Sequence, residues 1–170
     1  MYALETNHEK LAKFSASQQK EVRERFREFL KLRGLRETRE RIVILDAIYQ
    51  TDDHIDADTL HLRLRQQNHE ISRATVYNTL NLLLECQLVT RHQFGSLQAQ
   101  YEPSFLFGQH DHLVCLDCKE VMEFCDPRIQ SIQEMVADVY SFKIKRHTLN
   151  LYGHCTRADC INRSTKDVTA

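Results

Sequence analysis

Two short cysteine clips, Cys115-Leu-Asp-Cys118 and Cys155-Thr-Arg-Ala-Asp-Cys160, stand 36 residues apart near the end of a 170-residue chain. Each clip can turn two thiols toward one point, and two clips complete the tetrahedral sulfur cage that suits structural zinc. The segment around them, 67 residues from Ser104 to Ala170, is too small to rely on apolar burial alone and calls for a staple such as a metal or a second chain. The first 20 residues hold Glu5, Glu9 and Lys10 and no apolar leader. No uncharged run reaches the ~18 apolar residues of a spanning helix. The expectation is a cytoplasmic protein with no membrane partner, where reducing conditions favour metal-bound thiols over disulfides. Cys86 and Cys125 fall outside the clips and read as ordinary thiols.

Ahead of this segment the chain reads as helices. Hydrophobic residues at 42%, charged residues at 28%, four Gly and two Pro exclude collagen-like and Pro/Gly-rich disordered chains. Val22, Phe26, Phe29 and Leu30 recur at helical spacing and Gly34 follows as a C-terminal cap, which predicts a helix near 17–33. Thr38 caps a second helix carrying Ile42, Leu45 and Ile48, and Asp56 caps a third carrying Ala57, Leu60 and Leu64. Ser72 opens a fourth, with Ile71 and Val76 placed as a hydrophobic staple. Val76, Leu80, Leu83 and Leu84 form its inner stripe and leave Arg73, Thr75, Tyr77 and Asn78 outside. Residues 88–94 and 98–101 read as two strands about a turn at Gly95-Ser96.

This pattern predicts an α+β protein: a winged helix-turn-helix domain over 1–103, with a polar extension over 1–20, then a small α+β domain over 104–170. The second domain is expected to hold strands at 110–115, 121–124, 142–146 and 147–153. Its helix opens at Asp126-Pro127 and turns Ile129, Ile132, Val136 and Val139 inward. Between 23 and 41, eight Lys and Arg outnumber four Glu. Taken alone, that excess reads as a solvated face of ion pairs.

His110-Asp111-His112 lies on a predicted strand, where alternation sends both imidazoles to one face and Asp111 to the other. Glu102 and Glu123 lie nearby in sequence and offer oxygen donors. Such a nitrogen and carboxylate set suits Fe(II), Mn(II), Co(II) or Zn(II).

The run His-Asp-His-Leu-Val-Cys-Leu-Asp-Cys from His110, followed by Val-Met-Glu-Phe, the Leu-Tyr-Gly-His-Cys clip and the Ser-Arg-Ala-Thr-Val-Tyr-Asn-Thr-Leu helix, resembles the ferric uptake regulator superfamily, most closely its iron-responsive members. The resemblance runs from about Gly34 to Cys160. It implies a homodimeric or higher-order transcriptional repressor of iron homeostasis that binds double-stranded operator DNA. It further implies structural Zn(II) on Cys115, Cys118, Cys155 and Cys160, and a regulatory ion on His54, Glu102, His110, His112 and Glu123. Fe(II) is the expected corepressor, with Mn(II), Co(II) or Zn(II) as substitutes. Arg36, Thr38, Arg41, Arg73, Thr75, Tyr77 and Asn78 become expected DNA contacts, and the basic excess gains a use against phosphates. The family's third metal site is expected to be degenerate, because Asp111 and His147 remain but Gln109 and Gln130 stand where an imidazole and a carboxylate are needed.

Alternatives within the superfamily are a peroxide sensor and zinc, manganese or nickel regulators. The alternative outside it is a metallohydrolase using His110, His112 and a carboxylate. No substrate pocket is evident for it, and the expectation is no enzyme and no small organic substrate.

Overall fold

The computed structural model describes residues 15–51, 54–94, 98–105, 110–157 and 160. They fall into two compact units that divide between residues 108 and 109.

The first unit runs α1 (Ala16–Leu32), α2 (Arg39–Tyr49), β1 (Ile55–Asp56), α3 (Ala57–Gln66), α4 (Arg73–Glu85), β2 (Val89–His92) and β3 (Gln100–Pro103). Side-chain caps fix where each helix begins: Ser15 accepts from the Gln18 N–H, Thr38 from Arg41, Asp56 from Asp58 and Thr59, and Ser72 from Thr75. Left-handed turns fix where most of them end. At Gly34, with φ of 66°, the Gly34 and Leu35 N–H groups donate to the Lys31 and Leu30 carbonyls at 3.1 and 2.8 Å. The same double bond closes α3 at Asn68 and α4 at Gln87, with φ of 60° and 58°, although neither is glycine.

Val22, Phe26 and Leu30 of α1, Ile44, Leu45 and Ile48 of α2, Leu60 and Leu64 of α3, and Val76, Leu80 and Leu83 of α4 share one buried core. Each such aliphatic or aromatic side chain contributes about 1.5–3 kcal/mol on burial. On α4 the buried stripe is completed by Thr79, while Leu84 packs partly buried at its margin. The Tyr49 hydroxyl donates to the Leu88 carbonyl at 2.6 Å inside this core, tying α2 to the entry of β2. Its burial pushes the phenol pKa up.

The strands form an antiparallel sheet of order β1-β3-β2. Sequence patterning anticipates β2 and β3 but misses β1, whose two residues are too few to carry an alternation. The turn expected at Gly95-Ser96 lies outside the described residues.

The second unit holds β4 (Asp111–Cys115), β5 (Val121–Phe124), α5 (Pro127–Val139) and β6 (Asn150–Gly153). Its sheet has order β5-β4-β6, with β4 antiparallel to β5 and parallel to β6. Two expectations need correction. The strands expected over 142–146 and 147–149 do not form, because alternating side chains make a strand only where a partner backbone accepts its hydrogen bonds, and pairing with β4 begins at Asn150. Nor does α5 turn Ile132, Val136 and Val139 inward: they are 54%, 45% and 71% exposed, and the partly buried row is Ile129, Gln133 and Ala137. Periodicity groups side chains on a face but does not say which face meets the sheet. Among the described residues no helix is long and apolar enough to cross a membrane.

Candidate metal centres and nucleic-acid face

In the first unit, the antiparallel register pairs Thr90 with Glu102 and His92 with Gln100, which puts His92 diagonally across from Glu102 on one face. On the other side of β3, β1 pairs Ile55 with Tyr101, so His54, just before it, comes level with Glu102. The three side chains meet. His92 Nε2 lies 2.8 Å from Glu102 Oε1 and His54 Nε2 lies 3.1 Å from Glu102 Oε2, with side-chain exposures of only 6%, 3% and 9% for His92, His54 and Glu102. Phe94 stacks on the His92 ring at 5.2 Å and meets the His54 ring edge-on at 5.0 Å, closing the group with an apolar wall.

A second triad lies in the other unit. His112 faces Glu123 across the β4–β5 ladder, and His110 Nε2 reaches to 3.6 Å of Glu123 Oε1. The His110 and His112 rings are 5.0 Å apart. Within each triad the donor atoms all lie within 4.8 Å of one another. Two imidazoles and one carboxylate form the donor set that Fe(II) and related divalent ions accept while retaining open positions.

Asp111 points to the opposite face of β4, as strand alternation requires. There its Oδ1 lies 2.8 Å from His147 Nε2. Asp111, Gln130 and His147 line one groove of about 620 Å³ beside α5. The Gln130 side chain donates to Glu134 at 3.1 Å. Gln109 lies outside the described residues.

Of the four clip cysteines, Cys115, Cys118 and Cys160 bring their sulfurs within 4.8 Å of one another. The Cys115 thiol is held down at about 7, first by the Cys118 backbone N–H, against burial, and further by the Asp117 backbone and by Cys118 Sγ. Cys155 is not in that group; its sulfur accepts from Arg157 Nε at 3.0 Å, and Arg157 also pairs with Glu120. Three soft sulfur donors at this separation fit zinc, with Cys155 two residues beyond β6, the strand that pairs with β4.

The exposed start of α4 presents Arg73, Tyr77 and Asn78, while Thr75 Oγ1 is 2.8 Å from the Ser72 hydroxyl in the cap. Thr38 is likewise spent partly as a cap, accepting from the Arg41 N–H at 3.4 Å. Arg41 donates to the Arg36 carbonyl, and Arg36 itself is exposed. Within the wider basic excess, Arg23 pairs with Asp46 at 2.7 Å, Arg25 with Glu21 at 3.5 Å, Arg27 with Glu24 and Glu37 at 2.7 Å each, and Arg33 with Glu85 at 2.6 Å.

Residues 32–152 match the model of the Ferric uptake regulator family. The chain belongs to that family. The ferric uptake regulation protein of Campylobacter jejuni is 37% identical over 145 residues, 84% of this chain and 90% of that protein. Among solved structures, the ferric uptake regulator of Vibrio cholerae, which reveals a rearrangement of its DNA-binding domains, superposes with a TM-score of 0.64 at 42% identity, covering 74% of this chain and 96% of the other. That of Helicobacter pylori, which reveals three functional metal binding sites, superposes at 0.72 with 26% identity, covering 81% and 91%.

Sequence reasoning missed His92, which the structure brings to Glu102 beside His54. Its signal was faint, a single His at the end of a half-polar strand, and only the β2–β3 register brings it to Glu102.

Proposed function

We propose that this family member is a metal-dependent, DNA-binding transcriptional repressor of iron homeostasis, with Fe(II) as corepressor and no catalytic activity of its own. The observation that carries the reading is the buried triad of His54, His92 and Glu102, whose two imidazoles close on one carboxylate at 2.8 and 3.1 Å. Burying that much polar chemistry is costly without a purpose, and the donor set suits Fe(II), Mn(II), Co(II) or Zn(II), among which metal availability decides. The regulatory ligands are His54, Glu102, His110, His112 and Glu123, joined by His92. A bound divalent ion supplies positive charge and fixed coordination directions.

The remaining roles belong to the chain's own residues. Cys115, Cys118, Cys155 and Cys160 hold structural zinc, which requires Cys155 to turn from Arg157. The helices α3 and α4 with the β2–β3 strands act as a winged helix-turn-helix, and α4 enters the major groove with Arg73, Thr75, Tyr77 and Asn78 toward bases and backbone. Arg36, Thr38 and Arg41 take phosphates or the minor groove. The exposed Ile132, Met135, Val136 and Val139 of α5 are covered by a second copy of the chain, giving a homodimer. Asp111 and His147 satisfy each other without an ion. Metal and operator then favour each other reciprocally, typically by ~1–3 kcal/mol.

The test is anaerobic DNA binding with and without Fe(II), Mn(II) and Zn(II), using duplexes enriched from a random pool. Metal-stimulated binding that is lost in His112→Ala, with zinc content intact, supports the reading. Binding indifferent to every metal overturns it.

A further inference from the structure

Asp58 stands in the first turn of α3, and its carboxylate is turned onto the start of α4. Arg73 Nε donates to Asp58 Oδ1 at 2.7 Å and Arg73 Nη2 to Oδ2 at 2.7 Å, a side-on bidentate pair. The Tyr77 hydroxyl, one helical turn along from Arg73, donates to the same Oδ1 at 3.3 Å. Thus one carboxylate holds two of the side chains that the proposed recognition helix offers to DNA.

We propose that Asp58 is a positioning residue for sequence discrimination: it clamps Arg73 and Tyr77 into reading geometry and cancels the charge that would otherwise bind Arg73 to any phosphate. The inference rests on the reading that the start of α4 meets DNA. Arg73 remains 63% exposed in the pair, so its guanidinium is not hidden. It has five N–H donors, and the clamp uses two, leaving the others for an acceptor at a defined position. A free arginine at this place would be a mobile cation with large rotamer freedom, able to follow phosphates on any sequence. Sequence-independent affinity comes from such net cation–phosphate contacts and their released counterions. A paired arginine adds no net charge to that attraction, yet it can still satisfy a base edge that meets its fixed fork. Tyr77 gains the same restriction, since a phenol donating to Asp58 offers its oxygen as an acceptor in a set direction.

Asp58 and Arg73 stand in the first turns of α3 and α4, where the second helix of a helix-turn-helix reads DNA.

The experiment uses the full-length protein with zinc and Mn(II) bound. It measures fluorescence-anisotropy affinity for a random-sequence duplex and for a duplex that the wild type enriches from a random pool, each across a salt series. Asp58→Asn should bind the random duplex more tightly at low salt. Its plot of log affinity against log salt should steepen by about one for each recognition helix, and its preference for the enriched duplex should fall about tenfold. Asp58→Glu, which keeps the charge and a bidentate acceptor, should restore wild-type preference. In an Arg73→Ala background, Asp58→Asn should no longer steepen the salt dependence. An unchanged slope and preference in Asp58→Asn overturns the proposal, as does a steepened slope that persists without Arg73. If Arg73→Ala and Tyr77→Phe both leave affinity for the enriched duplex at wild type, it is the placement of α4 on DNA that fails.

Discussion

Glu102 Oε1 lies 2.8 Å from His92 Nε2, inside a wall that Phe94 completes. On the proposed function, an ion entering between the two atoms would take both as ligands. His92→Ala is expected to weaken Mn(II) or Co(II) binding at least tenfold, comparable to the ~10–100-fold cost of losing groups that support a metal site. Zinc content should not change. Competition titration with a fluorescent chelator reads the affinity, and a wild-type value would remove His92 from the ligand set.

The sulfur cluster gives a separate readout. Cys118→Ser is expected to abolish zinc retained through dialysis against a mild chelator, because Cys118 both closes the three-sulfur group and holds the Cys115 thiol down through its backbone and side chain. Since zinc bound only by the folded state adds its binding energy to folding, the second unit should also become protease-sensitive. Elemental analysis finding one zinc per chain in this variant would place the ion elsewhere.

Asp126 supplies an acid-dependent contribution with a defined sign. The carboxylate caps α5, and its pKa is depressed from 3.8 to about 2, first by the Arg128 guanidinium and then by the Arg128 backbone N–H. A depressed folded-state value means the stabilisation is fully present above about pH 4 and is lost as pH falls toward 2. Asp126→Asn keeps a capping oxygen but has no proton to take up. Urea unfolding at a series of pH values should therefore show a shallower acid-side loss in the variant, and identical slopes would refute the assignment.

Gln87 closes α4 with φ of 58°, a region that costs a side-chain-bearing residue about 1–2 kcal/mol relative to right-handed backbone. Gln87→Gly should recover roughly 1 kcal/mol of that, less what glycine adds to unfolded-chain freedom. Phe26→Ala, by contrast, should cost about 3–5 kcal/mol, since Phe26 is wholly buried in the core. Denaturant midpoints of the two variants should move in opposite directions.

Where local chemistry decides structure, the sequence was readable. Ser15, Thr38, Asp56, Ser72 and Asp126 cap the five helices among the described residues, and four of those caps are recognisable from the residue type standing before an apolar periodic run. The first cysteine clip and the His-x-His strand were readable for the same reason, since spacing along a turn or strand sets side-chain direction. What escaped depends on elements distant in sequence. His92 joins Glu102 through strand register, β1 exists only because β3 accepts it, and Arg33 pairs with Glu85 from 52 residues away. The outward face of α5 escaped for another reason: its apolar row is real, but periodicity does not say which face meets the sheet.

On the proposed homodimer, that outward row would tie survival of the protein to its abundance. If the proposed homodimer forms over this face, a unit whose helix keeps Ile132, Met135 and Val139 more than half exposed has a half-life that rises with concentration by mass action. Newly made chains, dilute and unmatched, are the ones that proteases clear first. The cell would then hold either an adequate stock of this regulator or almost none, with few solitary chains left to occupy promoters half-assembled.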